Sequence, residues 1–64
     1  MKFRDLINAI TADGAIFIRH GGDHDWYRNP ITGIAQAIPR HREVNEITAK
    51  KIIRKLSTPP PPEA

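Results

Sequence analysis

The sequence predicts a two-layer α+β domain in the order helix, three antiparallel strands, helix. Three observations carry this. Apolar residues recur at helical spacing near both ends of the 64-residue chain. Between them lie short β-branched and aromatic runs, separated by turns rich in Gly and Pro. Two amphipathic helices and a small sheet bury one another only if both helices lie on one sheet face, which leaves the other face open.

Each element has its own signal. Phe3, Leu6, Ile7 and Ile10 form one stripe of an opening helix, and Asp13-Gly14 ends it because glycine takes the left-handed C-terminal position readily. Ala15 to His20 has the composition of a strand. Gly21-Gly22, with Asp23, makes a tight turn, and His24 to Asn29 returns as the second strand. Regular pairing would put His24, Trp26 and Arg28 on one face. Asn29 to Gly33 is a second turn, and Ile34 to Ile38 a third strand. Pro39 is expected to stop that strand, since it lacks the N–H a ladder needs. Asn45 suits the N-cap of the closing helix and Glu46 its positive end. Ala49, Ile52, Ile53 and Leu56 repeat the apolar stripe, and Lys50, Lys51, Arg54 and Lys55 cover the rest. The domain spans residues 1–57. Residues 58–64, with the run Pro59 to Pro62, are expected to form a disordered polyproline II tail that plays no part in the core.

Composition narrows the function classes. A chain this short has little core to spare, and without cysteine neither disulfides nor a thiolate zinc site can supplement it. No apolar run approaches membrane-spanning length, and the first residues carry no signal-peptide pattern. A net charge of +3 and a pI near 9.8 favour a polyanionic partner.

The stretch Gly21-Gly22-Asp23-His24-Asp25-Trp26-Tyr27-Arg28 carries the most chemistry. It sets an imidazole, the side chain best suited to proton exchange near neutral pH, at the exposed end of a hairpin. Arg28 follows it, and Pro39-Arg40-His41-Arg42 adds cations downstream. Asp23, His24 and Asp25 include metal-ligand types, yet consecutive strand residues point to opposite faces and do not converge on one ion. The two aspartates are better read as shaping the turn and raising the His24 pKa by their charge. No metal site and no cofactor are expected.

The opening helix ending at glycine, the Gly-Gly-Asp-His hairpin, the turn with Pro30, the Ile-Pro-Arg-His segment and the Lys/Ile helix together resemble the HicA family of bacterial toxins, over residues 2 to about 56. The resemblance implies a double-stranded-RNA-binding-domain-like fold and an mRNA interferase in the bacterial cytoplasm. It also implies a HicB-like antitoxin that covers the active surface, with DNA contacted only through that antitoxin. The family's catalytic histidine falls on His24. The stretch from His24 to Pro30 is one residue longer than in many members, so either Trp26 or Tyr27 can match the usual aromatic position and a bulge is expected in that stretch.

For such an enzyme, RNA brings its own nucleophile in the 2′-hydroxyl. The protein supplies an acid–base group, here His24, and positive charge for the transition state, for which Arg28, Arg40 and Arg42 are the candidates. Trp26 and Tyr27 are candidates for stacking an unpaired base. His41 is a second acid–base candidate ranked below His24. The alternative reading is a noncatalytic RNA-binding module using the same basic surface.

Overall fold

The computed structural model describes residues 1–58; the four prolines of the expected tail lie outside the described residues. Helix α1 (Phe3–Ala12) ends as the Asp13-Gly14 pair predicts. The Ala15 N–H donates to the Ile10 carbonyl and the Gly14 N–H to that of Thr11, both at 3.0 Å. This reciprocal cap requires a left-handed residue, and Gly14 supplies it with a φ of +102°. Strands β1 (Ile16–Gly21), β2 (His24–Arg28) and β3 (Ala35–Pro39) follow, then α2 (Glu46–Leu56). The order α-β-β-β-α and the antiparallel sheet, with β2 central, match the expected fold class. Asn45 caps α2 as predicted, its side-chain oxygen accepting from the Ile47 N–H at 2.9 Å and the Thr48 N–H at 3.4 Å.

Pro39 does not stop β3 but belongs to it, opposite His24. The next ladder bond runs from the Arg40 N–H to the Asp23 carbonyl at 3.1 Å. That makes His24 and Pro39 a non-hydrogen-bonded pair, in which the proline nitrogen faces away from β2 and no donor is missed. The β1–β2 turn consists of Gly22 and Asp23, with Gly21 still in the strand. Gly22 alone has positive φ, +51°, which is the type II′ pattern that matches strand twist.

The bulge expected after His24 is not formed, since β2 pairs residue for residue with β3; the register shift lies in β1. Phe17 pairs with Tyr27 and Arg19 with Trp26, so Ile18 is the extra residue. It resets the alternation within β1. Phe17 and His20, on opposite sides of the bulge, share the helix-side face with their partners Tyr27 and Asp25, while Ile16 and Arg19 share the open face with Arg28 and Trp26.

Beneath the helices, Leu6, Ile10, Ile38, Ala49 and Leu56 are fully buried, with Tyr27 and Ile52 packed among them. At roughly 1.5–3 kcal/mol for each large apolar side chain, these few residues supply most of the driving force. Two devices hold the ends. At one end, residues 1–3 pair with 42–44 through a Lys2–Glu43 bridge, a Phe3 N–H to Arg42 carbonyl bond of 3.1 Å and a Val44 N–H to Met1 carbonyl bond of 2.7 Å. At the other, the buried Asn29 side chain donates to the Leu56 carbonyl and the Thr58 hydroxyl, and more weakly to the Asp13 carbonyl. Thr58, at the expected start of the tail, itself donates to the Asp13 carbonyl at 2.8 Å.

Candidate active site

The period-two alternation of β2 sorts its residues cleanly. His24, Trp26 and Arg28 take the open face, while Asp25 and Tyr27 turn toward the helices. His24 is exposed at the first position of β2, opposite Gly21 on one side and Pro39 on the other. Among the described residues its imidazole makes no hydrogen bond or ion pair.

Gly21 leaves a step in this face that the neighbouring side chains fill. A Cβ at Gly21 would sit 3.0 Å from the Trp26 indole nitrogen and 3.1 Å from an Arg19 guanidinium nitrogen. The indole therefore leans toward the hairpin end, over the residue directly opposite His24. Arg19 covers it, its guanidinium carbon 5.7 Å from the ring centroid, within cation–π range. Beyond Trp26, Arg28 lines a shallow concavity with Ile18, Arg19 and Ala35. An imidazole, an indole and two guanidiniums thus run along the face that no helix covers.

Several sequence expectations are redistributed. Tyr27 is a core residue, its ring packed edge-on against Phe17 with centroids 5.6 Å apart, so of the two aromatics it is Trp26 that lies on the open face. Burial, with a smaller contribution from the Asp25 charge, raises the Tyr27 pKa. Asp25 is turned away from His24: its nearly buried carboxylate accepts a 2.6 Å hydrogen bond from His20 Nδ1 and lies 3.6 Å from Arg40 Nε. Arg40 also donates to the Gly22 carbonyl, which ties β3 to the turn ahead of His24. His41 and Arg42 are exposed in the loop after β3, off the open face. His24 lies on the open face, Asp25 on the helix side and Asp23 in the turn. No group of three metal-ligating side chains forms among the described residues.

Arg19 and the His20–Asp25 pair were missed by sequence reasoning. Strict alternation puts Ile16, Ile18 and His20 on one face and Phe17 and Arg19 on the other. Only the bulge brings Arg19 beside Trp26 and His20 beside Asp25.

The element order, the helices on a single sheet face and the basic open face together define a small two-layer domain of the kind the sequence anticipated. Comparison with protein families agrees: the family model described as HicA toxin of bacterial toxin-antitoxin matches residues 3–57, and the chain belongs to the HicA toxin family. It is therefore the toxin of a toxin–antitoxin system, a class that pairs with antitoxins. No curated protein and no solved structure matches this chain. No helix among the described residues is long and apolar enough to cross a membrane.

Proposed function

We propose that this toxin is an endoribonuclease that cleaves mRNA by metal-independent acid–base chemistry at His24, restrained by a HicB-like antitoxin. The observation that supports it most is the free imidazole beside Trp26 and Arg19 on the bare sheet face. In this reading the substrate 2′-hydroxyl oxygen attacks the adjacent phosphorus and the bond from phosphorus to the 5′-oxygen breaks. The products are a 2′,3′-cyclic phosphate and a free 5′-hydroxyl. His24 takes the 2′ proton or delivers the proton to the departing oxygen, and water completes the other transfer. Trp26 stacks a base next to the scissile phosphate. Arg28 and Arg19 stabilise the added negative charge of the transition state. Arg40 acts on the site through the turn it holds, by way of Gly22.

The test is incubation of the purified toxin with RNA in the presence of EDTA. Chains ending in cyclic phosphate, absent with His24→Ala, are the expected result. Binding without cleavage would make the protein a noncatalytic RNA-binding module. Cleavage recovered only with an added divalent ion would replace the proposed chemistry.

A further inference from the structure

A second cationic surface lies around the hairpin end, on the side away from the open face. Three adjoining concavities form one groove there. The first is lined by Asp23, Arg40 and His41, the next by Phe3, Asp25 and Arg40 to Arg42, and the last by Lys2, Phe3, Arg4 and Arg42. The groove thus starts at the residue preceding His24 and ends at the first turn of α1.

Its cations are held in place by backbone pairing. The Lys2–Glu43 bridge and the Phe3 N–H to Arg42 carbonyl bond set Lys2, Arg4 and Arg42 around the half-buried Phe3. The nearby carboxylates are largely engaged elsewhere. Glu43 and Glu46 face the N-terminal ammonium at 3.8 and 2.8 Å, and Asp25 is shared by His20 and Arg40. Asp5 is 3.8 Å from Arg4, and Asp23 stands exposed at the lip of the groove. Among the described residues neither Lys2 nor Arg42 forms an ion pair. Cations carried on a paired backbone, with Lys2 and Arg42 free of ion pairs among the described residues, around an apolar floor suit a phosphodiester chain, whose charges repeat and whose sugars and bases offer apolar surface.

We infer that this groove holds the sugar–phosphate backbone of a single-stranded RNA flanking the nucleotide at His24, so that the strand bends around the hairpin end. The inference rests on the RNA-directed reading of the open face. It assigns Lys2, Arg4 and Arg42 to strand binding at a distance from the chemistry. A short RNA fills only the open face, whereas a longer one reaches the groove.

The test uses the full chain carrying His24→Gln, so that RNA is bound and not cut. Fluorescence anisotropy follows single-stranded RNAs of about four and about twelve nucleotides, which bracket a small-domain footprint. Adding Lys2→Gln and Arg42→Gln should weaken the longer RNA at least tenfold and leave the shorter one unchanged. It should also lower the log–log salt slope for the longer RNA by about 1.4, the share of two single-strand phosphate contacts. Removing two charges from the exposed face of α2, with Lys51→Gln and Lys55→Gln, should change neither. Equal binding of the longer RNA by the groove variant and its parent overturns the groove while leaving the RNA reading intact. Equal losses from the α2 variant reduce the groove to general charge and overturn it as a site. Parent protein that binds neither RNA overturns the RNA reading and the groove together. If the groove variant instead loses only binding of poly-glutamate, the surface belongs to an acidic protein partner.

Discussion

The Asn29 side-chain amide donates to the Leu56 carbonyl oxygen at 2.8 Å, joining the turn after β2 to the last residue of α2. The same nitrogen lies within reach of the Asp13 carbonyl beyond α1, and its oxygen accepts from the Ile31 N–H at 2.9 Å. One fully buried polar side chain therefore ties the ends of both helices to the sheet. Asn29→Ala should cost about 2–3 kcal/mol, because buried carbonyls lose their donor. At this chain length each kcal/mol lowers Tm by roughly 4–8 °C. Asn29→Asp keeps the shape but points a carboxylate at oxygen acceptors, and should melt no higher than the alanine variant. An aspartate variant as stable as the parent would show that the donated bonds contribute nothing.

Trp26 and Tyr27 are neighbours in sequence with opposite consequences. Trp26→Ala should leave the melting curve nearly unchanged and weaken RNA binding by about 1–3 kcal/mol, the range for loss of one base-stacking aromatic. Tyr27→Ala should destabilise the fold by about 3 kcal/mol or more through the cavity it leaves. Calorimetry with anisotropy on the same two variants separates the effects, and a Trp26→Ala protein that binds RNA like the parent removes the stacking role.

The histidines should divide in the same way. His24→Ala is expected to reduce RNA cleavage by roughly 10²–10⁴-fold, the usual contribution of one acid–base group, with stability changed by no more than about 0.5 kcal/mol. His20→Ala deprives the Asp25 carboxylate of its shortest contact and should cost about 1–3 kcal/mol. Its cleavage rate, measured well below its melting temperature, should stay close to that of the parent. Reversal of the pattern would put the acid–base site on the helix side.

Tyr27 also makes alkaline stability testable. Burial, followed by the Asp25 charge, raises its pKa above the ordinary 10.0. The folded state therefore holds the phenol proton more tightly than the unfolded chain does. That stabilisation is complete below the unfolded pKa and is lost as pH rises through the folded one. Tm should accordingly fall less steeply above pH 10 in Tyr27→Phe than in the parent. Parallel curves for the two proteins would contradict it.

Much of the fold was legible because its signals are local. The Asp13-Gly14 cap, the Asn45 cap, both apolar stripes and the alternation of β2 all follow from residues close in sequence. Pro39 was misjudged because its cost depends on which way its nitrogen faces, and that is set by pairing with β2. His24, Trp26 and Arg28 could be grouped from one regular strand. Arg19 could not, because its face depends on an irregularity at Ile18 that nothing in the local composition announces. The cluster of His20, Asp25 and Arg40 needs all three strands in register.

The extra residue in β1 has a consequence for how this domain can change over time. With Ile18 looped out of register, the residues before and after it keep independent phases. Deleting Ile18 would let the Phe17–Tyr27 pair run directly into Arg19–Trp26, restoring plain alternation with every paired residue still on its present face. A substitution at Ile18 itself disturbs no paired residue. The position is therefore free to vary both in kind and in number, so the strand can lose this residue or exchange its side chain while the two faces keep their members.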